Sequence, residues 1–287
     1  MREARHLLNE ISKQLEEAGC ASPRLDANLL LQMALQTEER ILMHHEVSLS
    51  PDQDATLRTL IQQRQAGCPV SRLRGWREFY GLRFVISDAT LDPRPDSECL
   101  IDAVLRSDVN HEAPLQIVDF GTGSGCLLLS LLHHRPQWQG LGIDVSQNAL
   151  EIARQNANAH QLQDRARFLC SDWDASLPDD TRFDVIISNP PYIAEADRAA
   201  LALDVVNYDP ETALFAGEDG LSDYQKLMPI IERRLARQGR AFLEIGQHQE
   251  QDVVALAIEA SLSLRHQHCD LSGTIRCLEF GRASDFA

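Results

Sequence analysis

Leu7, Leu8, Ile11 and Leu15 recur at helical spacing near the start of the chain, with charged and amide residues between them. That period predicts one helix with a single buried face, and Gly19 stands where its carboxyl end would be capped. A second helix is expected from Ser22-Pro23, burying Leu25, Leu29, Leu30 and Met33. A third starts at Ser50, which reads as an N-cap, with Pro51 at the first helical position and Asp52 and Asp54 in the first turn. It continues through Leu57, Leu60 and Ile61 toward Gly67. Together these predict a small all-α helical-bundle domain over residues 1–72. From residue 68 the helical period stops. Trp76, Phe79, Tyr80, Phe84, Val85 and Ile86 are interrupted by Gly75, Gly81, Pro93 and Pro95, a pattern that predicts a β-hairpin linker over 73–98.

Beyond that point the period alternates between strand and helix. Strands are predicted at 115–120, 140–144, 166–172, 183–189, 239–246, 263–269 and 275–280, and helices at 146–160, 221–238 and 248–260. This alternation is that of an α/β domain built on a mostly parallel sheet with helices on both faces, assigned to residues 99–287.

Composition adjusts the picture in three ways. The chain has 287 residues, 44% of them hydrophobic, enough to bury a sizeable core. No run of about 18 apolar residues is present, and the opening stretch lacks the apolar core of a signal peptide, so a cytoplasmic protein without membrane contact is expected. The seven cysteines form no CxxC pair, so neither disulfides nor a metal site is expected. Paired His133 and His134, and alternating His266 and His268, need no ligand to explain them. Net charge is −16, carried unevenly: residues 1–80 hold 10 Lys/Arg against 11 Asp/Glu, leaving 17 against 32 for the remainder. That balance argues against a nucleic-acid substrate, whose phosphates demand a basic face.

IVDFGTGSGC places Gly121, Gly123 and Gly125 between an apolar strand and a helical run from Cys126 to His133. Glycines there let the backbone turn sharply and approach a ligand, beside the free N–H groups of a helix start. Asp144 ends the next strand, where an acid can accept from both hydroxyls of a ribose. The pair suits either a nicotinamide dinucleotide or S-adenosylmethionine. The spacing departs from Gly-x-Gly-x-x-Gly, and no basic residue lies in the loop to meet a pyrophosphate. Asp172, ending the third strand, is positioned to accept from an adenine amino group, and Trp173 to pack on the adenine face. S-adenosylmethionine is the better fit.

Asn189-Pro190-Pro191-Tyr192 ends the fourth strand, at the sheet edge where ligands of such folds gather. The two prolines withhold N–H donors and stiffen the backbone, leaving the Pro190 carbonyl as an acceptor. The Asn189 side-chain oxygen is a second. An NH2 group donating to both would have its lone pair directed at a sulfonium methyl, with Tyr192 stacked on the flat substrate. This chemistry requires no strong base and serves amides and nucleobase amines alike.

The chain resembles the protein-glutamine N5-methyltransferases that modify peptide-chain release factors, the PrmC/HemK family. The likeness lies in SPRLDANLLL (22–31), PVSRLRGWREFYGLRF (69–84), DPRPDSE (92–98), DFGTGSG (119–125), SNPPYI (188–193), LFAGEDGL (214–221) and LEIG (243–246). The resemblance implies a helical domain that engages the release factor. It also implies a Rossmann-like class I methyltransferase domain, with a seven-stranded, mostly parallel sheet, acting on the glutamine of a Gly-Gly-Gln loop in class I release factors. By motif, Gly121, Thr122, Gly123, Ser124, Gly125, Asp144, Asp172, Trp173 and Asn189 would hold the cofactor. Asn189, Pro190, Pro191 and Tyr192 would hold the glutamine, and Arg94 and Glu98 would shape the pocket. The chain departs from the family pattern at Asp92, Asp96-Ser97, Arg72 and Thr274-Ile275. A monomer is expected. Alternatives are a glutamine methyltransferase acting on a ribosomal protein, disfavoured by the linker REFYGLRF, and an adenine-N6 DNA or guanine-N2 RNA methyltransferase, disfavoured by the charge. A catalytically silent binding protein would show an eroded loop or tetrapeptide, and both are whole.

Overall fold

A computed structural model describes residues 2–110 and 112–283, the side chains of Arg2 and Leu203 aside; residues 284–287 of the segment assigned to the α/β domain lie outside it. Contacts divide the chain into two compact units, Met1–Gly75 with Ala202–Tyr208, and Trp76–Leu201 with Asp209–Ala287.

In the first unit, a two-residue strand β1 (Arg2–Glu3) leads into α1 (Ala4–Glu17), which buries Ala4, Leu8, Ile11 and Leu15. Gly19 takes φ +79°, and the N–H groups of Gly19 and Cys20 reach back to Glu16 and Leu15, a Schellman ending. In α2 (Pro23–Leu35) the buried face is Asp26, Ala27, Leu30, Leu31 and Ala34. The expectation that Leu25 is buried is therefore corrected: it is 61% exposed, and Leu29 and Met33 are half-buried. The helix is rotated because Asp26 points inward to an ion pair with Arg64 at 2.8 Å. The short β2 (Glu46–Val47) pairs antiparallel with β1, a pairing too brief to leave a period in the sequence. Then α3 (Pro51–Gln65) begins with a full capping box between Ser50 and Gln53, a feature worth about 1 kcal/mol. A further helix, α4 (Val70–Arg74), occupies residues expected to be extended and stops at Gly75, φ +73°.

The second unit opens with an antiparallel hairpin, β3 (Trp76–Phe79) and β4 (Leu82–Val85). Tyr80 and Gly81 both have positive φ, 49° and 74°, the two-residue turn that matches strand twist. After α5 (Glu98–Arg106) come β5 (Gln116–Phe120), α6 (Cys126–His134), β6 (Gln139–Asp144), α7 (Gln147–Ala159), β7 (Ala166–Cys170) and β8 (Phe183–Ser188). The chain then forms α8 (Leu203–Tyr208), whose residues cluster with the first unit, followed by α9 (Ser222–Arg234), β9 (Leu235–Glu244), α10 (Glu250–Glu259), β10 (Leu262–Cys269) and β11 (Ile275–Arg282).

The seven strands lie in the order β10-β11-β9-β8-β5-β6-β7, parallel except for β11, which runs against both neighbours. Both faces are covered, so the central strands are apolar runs whose alternate residues enter two cores. Ile117, Val185, Ile187 and Phe242 meet the buried leucines of α6 on one side, while Val118, Phe120, Ile186 and Leu243 meet α9 on the other. Several boundaries shift from expectation. The last strand before α10 starts at Leu235 rather than 239, because Leu235 turns extended (ψ 128°) and is fully buried. The strand placed at 166–172 ends at Cys170, so Asp172 sits in the loop beyond it. Among the described residues no helix is long and apolar enough to cross a membrane.

Candidate active site

Four parallel strands deliver the candidate residues to one edge of the sheet, at the point where strand order reverses around β5. Gly121 to Gly125 follow β5, Asp144 closes β6, Asp172 and Trp173 follow β7, and Asn189 follows β8. All but Gly125 line a cavity of about 250 Å³.

The glycine loop forms because Gly121, Gly123 and Gly125 all take positive φ, 74°, 54° and 80°, a region a Cβ disfavours. A Cβ at Gly121 or Gly123 would meet no protein atom within 4 Å, so the space above the loop is open for a ligand. Gly125 differs: it begins α6, and its Cβ position lies 3.1 Å from Leu129 and 3.3 Å from Ala153, so its absence lets helix and loop pack. The backbone N–H groups of Gly121 and Thr122 both donate to the Ile143 carbonyl. Gly123 donates to Asp144 Oδ2 and Ser146 to Oδ1, at 2.9 and 2.8 Å. Asn156, fully buried on α7, donates to the carbonyls of Ser124 and Val85 and accepts from the Val85 N–H. One amide thereby fixes the loop to the hairpin.

The wall that carries Asp172 and Trp173 is equally anchored. Trp173 takes φ +49° with its ring 6.3 Å from Phe120. The next residue, Asp174, is buried; burial alone would raise its carboxyl pKa, yet Arg233 and Arg234 hold it below the usual value.

Three acids raised by burial shape the electrostatics. Asp119, wholly buried in β5, accepts from the Thr122 hydroxyl at 2.7 Å, while its Oδ1 has no hydrogen-bond donor among the described residues. Burial pushes its pKa up to about 7, against the Thr122 bond and with the nearby Asp144 charge. Burial also raises Asp144, against the N–H groups of Ser146 and Gly123. Glu244, ending β9, is buried and pushed up to about 7, with the Ser97 hydroxyl and the Arg276 charge opposing.

At the tetrapeptide, Asn189 Nδ2 donates to Ser97 Oγ at 3.3 Å, which leaves Oδ1 as the amide atom available to accept. Asn189 and Pro191 line the cavity. Pro190 is buried behind them. Tyr192 packs into the core beside α9, its hydroxyl 3.5 Å from Glu244 Oε1 and its carbonyl held by Gln249 Nε2 at 2.9 Å.

The structure therefore brings Gly121, Thr122, Gly123, Ser124, Asp144, Asp172, Trp173, Asn189, Pro191 and Arg94 around one cavity. Gly125, Pro190, Tyr192 and Glu98 stand behind or away from its surface. Arg94 lines the wall and is ion-paired to buried Asp209. Glu98 instead accepts the Tyr80 N–H at 2.9 Å and so holds the hairpin turn. Sequence reasoning missed the loop Ala89–Leu91 and the pair Asp223 and Lys226 of α9, all of which line the cavity. It also missed Asp119 and Glu244, although each is an acid inside an otherwise apolar strand, a signal that was available.

Residues 6–75 match a family model described as the PrmC N-terminal domain, and residues 79–212 match the Methyltransferase small domain. A protein of Rhodospirillum rubrum named release factor glutamine methyltransferase is 40% identical over 273 residues, 95% of this chain and 83% of that protein. One of the same name from Bradyrhizobium diazoefficiens is 42% identical, covering 93% and 89%. A third, from Agrobacterium fabrum, is 38% identical, covering 94% of each. Among solved structures, the hMettl16 catalytic domain in complex with MAT2A 3'UTR hairpin 6 superposes with TM-score 0.54 at 17% identity, covering 84% of this chain and 86% of that one. The T. Thermophilus 16S rRNA N2 G1207 methyltransferase (RsmC), in complex with AdoMet and guanosine, gives 0.50 at 20% identity, covering 72% and 49%. At those identities the likeness is one of fold alone.

Proposed function

This chain belongs to the release factor glutamine methyltransferase family and is an S-adenosylmethionine-dependent methyltransferase, and we propose on that basis that it methylates the side-chain amide nitrogen of the glutamine in the Gly-Gly-Gln loop of class I peptide-chain release factors. The observation that carries the reading is at Asn189: its amide nitrogen is engaged by Ser97, so its oxygen is the atom offered to a substrate NH2.

S-adenosylmethionine supplies an electrophilic methyl group on a positively charged sulfur. The residues present suit it. The open space over Gly121 and Gly123 admits a ligand close to the backbone, Asp144 offers carboxylate oxygens to ribose hydroxyls, and Asp172 and Trp173 offer an acceptor and a ring to adenine.

On the substrate side, Asn189 Oδ1 accepts one hydrogen of the glutamine amide, and the Pro190 carbonyl, set just behind the lining residues Asn189 and Pro191, accepts the other when substrate enters. Held so, the nitrogen's lone pair is turned out of conjugation toward the methyl group, and Tyr192 and Pro191 set the backbone that presents both acceptors. Alignment of this kind lowers a barrier by on the order of 7 to 11 kcal/mol. As the N–C bond forms and the methyl–sulfur bond breaks, its electron pair leaving with sulfur as a neutral thioether, the nitrogen becomes acidic and passes one proton to water. The helical residues 1–72 serve release-factor recognition, residues 73–98 link them to the catalytic residues 99–287, and the enzyme acts as a monomer in the cytoplasm.

The test is incubation with labelled S-adenosylmethionine and purified release factor, with and without a Gln→Ala change in the Gly-Gly-Gln loop. Label should enter only the unmodified loop. Label entering a ribosomal protein or nuclease-sensitive material instead would overturn the substrate assignment.

A further inference from the structure

Ser97 stands at the amino end of α5, where a serine ordinarily accepts a hydrogen bond from first-turn N–H groups of its own helix. It caps nothing. It is 4% exposed, and its oxygen accepts instead from Asn189 Nδ2, a residue 92 positions along the chain. Buried Glu244, whose Oε1 faces the Tyr192 hydroxyl, lies close enough for the Ser97 hydroxyl to oppose the rise of its pKa. Ser97 thus sits between the end of β8 and the end of β9, with its oxygen bonded to the tetrapeptide.

We propose that Ser97 is a positioning residue for methyl transfer, fixing the Asn189 amide with its nitrogen inward and its oxygen toward the substrate. The proposal rests on the reading of Asn189 as an acceptor. An asparagine amide rotated half a turn exchanges oxygen for nitrogen at almost no steric cost, so its orientation is set by partners alone. In the rotated state two N–H donors would face a substrate group that is itself a donor, and the ground-state geometry required for attack would be lost. Ser97 disfavours that state, because its oxygen accepts from the inward Nδ2 at 3.3 Å. Ser97 touches Asn189 and not the reacting atoms, so its effect belongs to kcat rather than to binding.

The experiment compares Ser97→Ala, Ser97→Thr and Ser97→Val in the full-length enzyme with purified release factor, measuring kcat, both KM values and cofactor affinity by calorimetry. Thr and Val have the same shape and differ in the hydroxyl, which separates positioning from packing. Expected is a kcat loss of about tenfold or more in Ala and Val, with both KM values and cofactor affinity little changed and Thr close to the parent. Wild-type kcat in Ala or Val, or an equal loss in Thr and Val, overturns the proposal. Asn189→Ala is run in parallel. If it keeps most activity, the acceptor reading itself fails; if it is inactive while Ser97→Val is fully active, only the role of Ser97 fails.

Discussion

Gly123 donates its backbone N–H to Asp144 Oδ2 at 2.9 Å, so the glycine loop after β5 and the acid that closes β6 form one hydrogen-bonded unit. Ser146 binds the other carboxylate oxygen. The remaining lone pairs of both oxygens are what a ribose would meet. Asp144→Ala should therefore weaken S-adenosylmethionine about 10- to 100-fold in calorimetry, by removing the ribose acceptor and loosening the loop together. Unchanged affinity would sink the ribose assignment.

Asn189 makes its recorded side-chain bond through nitrogen alone, to Ser97. Asn189→Ala is expected to cut kcat by more than about 100-fold, the scale on which loss of a positioned polar contact in a transition state is felt. Melting temperature should stay near the parent's, since the residue is only half-buried. Retention of most activity on release factor would contradict the mechanism.

These two sites were legible because each lies where a strand ends and a special residue begins. Gly121, Gly123 and Gly125 signal a turn that only positive φ allows, and Asn189-Pro190-Pro191 signals backbone that cannot pair in a sheet. Leu25 misled because hydrophobic period cannot register an inward charge: Asp26 enters the helical core only because Arg64, on another helix, is there to meet it. Ala89–Leu91 and Lys226 carry no local mark at all, and come to the cavity through tertiary structure.

Asn156 uses its whole amide, donating to Ser124 and Val85 carbonyls and accepting the Val85 N–H at 2.8 to 3.0 Å. Asn156→Leu preserves volume while stranding three backbone groups, at a cost of about 2 to 3 kcal/mol. For a domain of this size that is a fall in melting temperature of about 5 to 10 °C. Because Ser124 lines the cavity, cofactor affinity should fall in the same variant. An unchanged melting curve with normal affinity would mean that the loop is fixed by other contacts.

Gly142 lies in β6 with ordinary φ, but a Cβ there would approach Phe168 to 2.7 Å and the Thr122 methyl to 2.9 Å. Neither neighbour is the tip of a flexible chain. Gly142→Ala is expected to push Thr122 away from Asp119, whose only recorded hydroxyl partner it is, and so to disturb the glycine loop from below. Lower stability by about 1 to 3 kcal/mol in denaturant unfolding, together with weaker cofactor binding, is the expected result. Parent-like values in both measurements would show that β6 accommodates the methyl by shifting.

Glu244 is buried beneath Tyr192, and its pKa is raised from the ordinary 4.5 to about 7, chiefly by burial. The folded protein therefore holds this proton over a range in which the unfolded chain has already released it. Its protonation favours folding fully below about pH 4.5, and that contribution fades as pH rises through about 7. Glu244→Gln keeps a neutral side chain of the same shape and has nothing to ionise. Its melting temperature relative to the parent should rise between pH 5 and pH 8, the two proteins lying closest at the acid end. Asp119, also raised to about 7, titrates in both proteins and cancels from the comparison. A pH-independent difference would show that the Glu244 carboxyl does not change its charge over this range, and that its burial is offset by partners in both states.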